Sequence, residues 1–111
     1  MRTRVKICGI TKKSDALYAS DLGVDALGFV FYEDSPRFID PELVGHITSC
    51  LHPFILRVGL FVNAKDDFVE ESIVKSKINL LQFHGDESEN YCNQFNLPYI
   101  KSISMKDNIN L

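Results

Sequence analysis

Apolar residues along this chain follow two alternating patterns: short β-rich runs, and longer stretches whose apolar positions recur every three or four residues. The runs Val5 to Cys8, Ala26 to Phe31, Ile55 to Val62, Leu80 to Phe83 and Tyr99 to Ile103 predict five strands. Four helices are predicted between them. The first runs near Lys13 to Leu22, with Thr11 as its cap and Gly23 as its stop. The second opens on Asp40 as cap with Pro41 at the first helical position, and repeats Leu43, Ile47 and Leu51 at four-residue spacing. The third starts near Asp66 and is expected to bury Val69 and Ile73. The fourth starts near Asp86, with Glu89 three residues on as a capping-box partner, and buries Tyr91, Cys92 and Phe95 before Pro98 ends it.

A βα unit repeated about every 25 residues implies parallel strands joined by right-handed crossovers. Whether such a sheet is open or curled depends on its faces. Helices on both faces make central strands continuously apolar. Here polar residues interleave instead, so one face is expected to be aliphatic and the other to carry Lys6, Cys8, Arg57, Gln82, His84 and Lys101. Helices on one side and a polar interior on the other fit an α/β barrel better than a doubly wound sheet. Five strands are too few to close the usual eight. The expected architecture is a partial barrel of about four βα units plus a fifth strand, forming one domain over residues 1–111, with no linker or low-complexity tract to mark a second.

A chain of 111 residues supports one modest core, and 45% apolar with 24% charged residues is ordinary for a water-soluble domain. The net charge of −3 with mixed signs leaves no basic stripe for phosphates, so nucleic acid is not an expected partner. No apolar run is long enough to span a membrane, and Lys6 interrupts the only apolar stretch near the amino terminus, which makes the cytoplasm the expected location. Cys8, Cys50 and Cys92 are odd in number and unpatterned, as free thiols in a reducing compartment would be. A metal centre would have to recruit His46, Cys50 and His52, which straddle a helix end without a CxxC or HxxxH pair; none is expected.

The stretch with most chemical content is Val5-Lys6-Ile7-Cys8-Gly9-Ile10-Thr11. Parallel α/β folds place their chemistry where a strand's carboxyl end meets an open loop, which makes Cys8 a candidate catalytic thiol. The competing reading is a small core hydrophobe, since free cysteine is among the most buried residue types. Gly9 lets the backbone turn away from the strand and approach a ligand closely.

Laid out at successive strand ends, five segments resemble phosphoribosylanthranilate isomerases: Lys6 to Thr11, Gly28 to Phe31, Ser35 to Ile39, Gly59 to Asn63 and Leu81 to Glu87. They follow family order and spacing across nearly the whole chain. The resemblance implies a (β/α)8 barrel about twice this length, of which this chain corresponds to the amino-terminal half. It also implies an isomerase of tryptophan biosynthesis that rearranges an aminoaldose to an aminoketose without a cofactor, using an acid and a base on opposite sides of the sugar. By the same resemblance Cys8 is the base, Arg37 grips the anthranilate carboxylate through its planar fork, and His84 lies at a substrate-binding position. An ordinary thiol is mostly protonated at neutral pH, so Lys6 or Arg57 would have to favour the anion. From the residues alone, Arg37 also reads as a solvated loop arginine, His84 as a hydrogen-bonded structural histidine, and Asp86 as the cap of the fourth helix. Asn63 and Gln82 are expected to line the pocket, with no chemistry assigned.

The chain departs from the family at its far end. The family's general acid follows the fifth strand and its phosphate grip lies in the last two loops; Asp107 sits in the context Lys106-Asp107-Asn108, which does not match. An isomerase half-barrel is therefore weighed against a non-catalytic half-barrel that acts as an assembly module, self-associating or joining a complementing half. A cysteine-dependent redox or transferase domain on a flavodoxin-like sheet is a third reading, disfavoured by the absence of CxxC and of a Gly-rich phosphate loop.

Overall fold

Every strand pairs in parallel with its successor in sequence, giving one sheet of order β1-β2-β3-β4-β5. The computed structural model describes residues 3–102, so the predicted end of the last strand at Ile103, and Asp107, lie outside the described residues. The elements are β1 (Lys6–Cys8), α1 (Lys13–Asp21), β2 (Ala26–Val30), α2 (Pro41–Thr48), β3 (Leu56–Phe61), α3 (Asp66–Ser76), β4 (Leu80–Phe83), α4 (Glu89–Asn93) and β5 (Tyr99–Lys101). All nine predicted elements are present in order. A doubly wound sheet reverses its strand order part-way; successive right-handed crossovers that never reverse put every helix on one face. The flavodoxin-like reading is thereby excluded. Among the described residues β1 and β5 do not pair, so the sheet is open.

The register assigns the faces. Leu27, Phe29, Phe61, Leu81 and Phe83 point to the helices and are fully buried. Aromatic contacts extend the layer, Phe31 tilted against Phe61 at 5.4 Å and Phe83 edge-to-face with Tyr91 at 5.6 Å between centroids. Each such side chain contributes about 1.5–3 kcal/mol by leaving water, so this layer dominates the core. The opposite face presents the rows Lys6/Ala26, Cys8/Gly28/Val58/Leu80 and Val30/Leu60/Gln82/Ile100. Lys6 Nζ donates to Gln82 Oε1 across it at 2.5 Å. Three interstrand steps separate those strands, about 14 Å on a flat sheet, so the contact requires this face to be concave.

Two of the residues expected on the polar face are not there. Arg57 is in register with Ile7 and Leu27, and Lys101 with Phe61 and Phe83, on the helix side. Arg57 Nε donates to the Lys77 carbonyl at 3.2 Å and its Nη1 to that of Ile55 at 3.5 Å, at the amino end of the sheet. Alternation within one strand fixes which residues share a face but not how that strand is phased against its neighbour. The concave face is accordingly mixed, with Val30, Val58 and Leu60 beside Lys6, Cys8 and Gln82.

The helix ends show which local signals held. Asp40 caps α2, its Oδ1 accepting from Glu42 N at 2.8 Å with Pro41 following, and Gly23 stops α1 at φ +83°. Thr11 is not a cap: Lys12 occupies that position, with no side-chain bond. Ser88 rather than Asp86 caps α4, accepting from Tyr91 N at 3.1 Å, so the Asp86–Glu89 capping box does not form. Leu43 is exposed while Val44 and Ile47 are buried, because α2 turns its Val44 side towards the sheet and α3. Val69 is buried as expected, whereas Ile73 is only half-buried.

Candidate active site at the strand carboxyl ends

Cys8 ends β1. The amides of Gly9 and Ile10 both donate to the Gly28 carbonyl, at 3.0 and 3.2 Å, and Gly9 takes φ +83°, which turns the chain off the sheet. Cys8 is exposed, which removes the core-hydrophobe reading. Its Sγ lies on the concave side, so close to Gly28 that a Cβ there would stand 3.0 Å away. Cys92 is instead the buried cysteine, and burial, followed by the Glu87 charge, pushes its thiol up and keeps it protonated.

Arg37 arrives from the loop after β2. Ser35 organises that loop: its amide donates to the Tyr32 carbonyl, its carbonyl accepts from Phe38 N, and its Oγ accepts from Arg37 N at 3.1 Å. An isolated bridge between Val30 and Phe38 then ties the loop back to β2. The Arg37 side chain lies across Gly9, where a Cβ would stand 2.6 Å from its Cδ and 2.9 Å from Nη1. Glycine at position 9 is thus required twice, by the positive φ and by this approach. Cys8, Thr11, Pro36 and Arg37 line one cavity of about 520 Å³, whose other wall is Asp15, Tyr18 and Leu22 of the α1 segment. Among the described residues no carboxylate pairs with the guanidinium, which leaves its fork available to an anion.

His84 stands at the end of β4, exposed, its amide donating to the Phe61 carbonyl at 2.9 Å. It directly precedes Gly85, a member of a second cluster, and no described contact joins it to Cys8 or Arg37. Asn63, at φ 49°, accepts from Asp86 N through Oδ1 at 2.8 Å. Glu87, which sequence reasoning missed, organises the cluster. Its Oε2 accepts from Asn63 N at 2.8 Å, and its Oε1 from Gly85 N and Lys101 Nζ, each at 2.9 Å. Lys101 Nζ also donates to the Gly85 carbonyl. The Glu87 side chain is 2% exposed. Burial acts to raise its carboxyl, but the bonds from Lys101 and Asn63 outweigh burial and hold the group below the ordinary range. No sequence signal marks it, because the counter-charge it answers, Lys101, reaches the helix side only through the phase of β5 against β4.

Of the two cations expected to favour the Cys8 thiolate, Lys6 shares its strand and face, whereas Arg57 is turned to the opposite face. His46, Cys50 and His52 are exposed around the end of α2; His52 Nε2 lies 3.7 Å from Asp21 Oδ1. Among the described residues no group of three His, Cys, Asp or Glu side chains is arranged to hold a metal, and no helix is long and apolar enough to cross a membrane.

A curled parallel sheet of unreversed order, with its helices outside and polar side chains at the carboxyl ends of the strands, defines part of a (β/α)8-barrel protein. The chain belongs to the phosphoribosylanthranilate isomerase family: the model of N-(5'phosphoribosyl)anthranilate (PRA) isomerase matches residues 5–111. It is 49% identical over 111 residues to the N-(5'-phosphoribosyl)anthranilate isomerase of Nitrosomonas europaea, covering 100% of this chain and 53% of that protein. With that of Geotalea uraniireducens it shares 50% over 105 residues, covering 95% and 52%. The crystal structure of the Thermotoga maritima isomerase superposes with a TM-score of 0.88 at 38% identity, covering 98% of this chain and 57% of that one. A second structure, of the isomerase in complex with reduced 1-(o-carboxyphenylamino)-1-deoxyribulose 5-phosphate, matches equally, at 0.88 and 38%, covering 98% and 60%. The chain spans about half the length of the curated relatives it matches.

Proposed function

We propose that residues 1–111 form a single partial-barrel domain, the amino-terminal half of a phosphoribosylanthranilate isomerase of tryptophan biosynthesis. In this reading Cys8 is the general base, Arg37 the clamp on the anthranilate carboxylate, and His84 a substrate-binding residue. One observation supports it: Cys8 and Arg37 line the same cavity at the end of β1, bordered on its other side by Asp15 and Tyr18 of α1. In the Amadori rearrangement an acid protonates the ribose ring oxygen, the C1′–O bond breaks, and a Schiff base forms on the anthranilate nitrogen. A base then removes the C2′ proton to give the enolamine, which tautomerises to 1-(2-carboxyphenylamino)-1-deoxyribulose 5-phosphate. These are proton transfers that need neither cofactor nor metal. A cysteine at a rigid strand end, with a forked cation beside it to hold the carboxylate, is the half of that machinery which removes the proton. Unpaired thiols and the absence of a basic surface stripe support a cytoplasmic enzyme that acts on a small molecule rather than on nucleic acid or membrane.

The test supplies the remaining βα units, as a contiguous extension or as the corresponding half of the Nitrosomonas europaea relative, and follows conversion of phosphoribosylanthranilate. Turnover is expected from the completed barrel and not from residues 1–111 alone. Cys8→Ser in the completed barrel is expected to lower kcat about a hundredfold or more while leaving KM nearly unchanged, since the base acts in the transition state. Equal turnover in that variant would remove Cys8 from the mechanism.

A second reading, a non-catalytic assembly module, is favoured by the concave face itself, where Leu56 and Ile100 are 46% and 45% exposed. Binding of a complementing half without any turnover would establish it.

A further inference from the structure

Of the four carboxyl-terminal loops in the described structure, two are tied together by one buried carboxylate. Glu87 Oε2 holds the Asn63 amide of the loop after β3, Oε1 holds the Gly85 amide of the loop after β4, and Lys101 closes the arrangement from β5. Gly85 directly follows His84, and its carbonyl is also held by Lys101 Nζ, so both peptide groups of Gly85 are fixed by this ion pair. Asn63 closes on the same loop through Asp86 N, and a side chain at position 85 would collide with it, a Cβ standing 2.5 Å from Asn63 Oδ1. The pair is not one of the exposed surface ion pairs that contribute little: the Glu87 side chain is 2% exposed and that of Lys101 31%. A glutamate taken out of water and given three charge-assisted bonds to two loops and a strand is more than a helix-start residue. Ser88 performs the capping.

We infer that Glu87 is a positioning residue: through the Asn63 and Gly85 amides and Lys101 it sets the conformation of the loop that carries His84, and thereby where the imidazole meets the substrate. The first half of this inference concerns the chain alone; the second rests on the isomerase reading above. Glu87→Gln preserves shape but replaces one acceptor oxygen with an N–H donor, so either an amide or the ammonium loses its partner. Glu87→Asp is too short to hold both amides at once.

Hydrogen exchange on the chain itself reads the first half. In Glu87→Gln the Asn63 and Gly85 amides are expected to exchange at least about tenfold faster, while Phe29 and Leu81 in the core strands are unchanged. The His84 imidazole signals should shift. Lys101→Met, which leaves the carboxylate and both amide bonds, serves if the first variant does not fold, and is expected to loosen Gly85 more than Asn63. Unaltered exchange at both amides would overturn the inference.

The completed barrel reads the second half through a cycle of Glu87→Gln, His84→Ala and the double variant. Each single change should raise KM with kcat little altered, and the double variant should be no worse than His84→Ala, because Glu87 acts through His84. Additive losses, or a fall in kcat from Glu87→Gln alone, would overturn the positioning role. If the unaltered completed barrel does not turn over, the isomerase reading fails, and the exchange experiment still decides whether Glu87 holds the loops.

Discussion

The Cys8 thiol rests directly over the α-carbon of Gly28: a methyl group at that position would stand 3.0 Å from Sγ and 3.3 Å from the Cys8 α-carbon. The two residues are in register on adjacent strands, so neither backbone can yield without breaking the β1–β2 pairing. Gly28→Ala is therefore expected to rotate the thiol away and to destabilise the fold by about 1–3 kcal/mol, the usual cost of overpacking. Thermal denaturation of the chain measures the second effect, and the rate of thiol alkylation at Cys8 the first. Unchanged values of both would mean that the thiol does not occupy this position.

Arg37 should act on binding rather than on turnover. Arg37→Ala in the completed barrel is expected to raise KM for the anthranilate-bearing substrate by an amount worth about 1.5–3 kcal/mol, the loss of a charged hydrogen-bonded contact. Arg37→Lys should recover only part of it, because a point charge cannot reproduce the two parallel bonds of the fork. An unaltered KM in the alanine variant would leave Arg37 as a solvated loop residue lying across Gly9.

The Glu87 carboxyl is held below its unfolded value, which lies at about 4.3. The sign follows from linkage: a depressed acid contributes stability that is complete above the unfolded value and lost as pH falls through the folded one. The titratable groups facing it are Lys101 from β5 and Tyr91 and Cys92 from α4. Tyr91 is pushed up to about 12 by burial first and by Glu87 and Asp66 next, and burial also pushes the Cys92 thiol up, so neither titrates in the acid window. Wild type should exceed Glu87→Gln by about 1–3 kcal/mol near neutrality. That difference should hold down to about pH 5 and shrink below it. Denaturant midpoints across this pH range check the prediction; a difference that grows on acidification would contradict it.

Among the described residues the outer edges of β1 and β5 carry no partner strand, and Ile7, Leu56 and Ile100 are exposed. Unpaired edges and an uncovered apolar face drive association. Residues 1–111 alone are expected to sediment as concentration-dependent oligomers. Leu56→Lys with Ile100→Lys should shift them towards monomer, and a monodisperse monomer before substitution would show that the concave face needs no cover.

How much the sequence carried differs between elements for identifiable reasons. Gly23 and Asp40-Pro41 mark boundaries because φ, a missing amide or a short acceptor side chain acts within a few residues, whereas α4 ends at Asn93, before Phe95 and well short of Pro98. Thr11 and Asp86 carry the same chemistry without capping, because the true helix starts are set by where Ala16 and Tyr91 dock against the sheet. Cys8, Arg37 and His84 were legible as strand-end and loop residues. That Cys8 and Arg37 share a cavity which His84 does not line was not.

The sequence by itself determined the nine elements, their order, the parallel pairing and the chemistry available at each strand end, since these depend on periodicities of two and of about 3.6 residues and on local backbone preferences. Tertiary structure alone decided the phase of each strand against its neighbour, which turned Arg57 and Lys101 to the helix side and left Lys6 beside Cys8 on the concave face. It also decided the burial of Glu87 between Asn63, Gly85 and Lys101. A strand's alternation is invariant to a flip of the whole strand, and an ion pair between residues fourteen apart exists only once the chain has returned to bring them together.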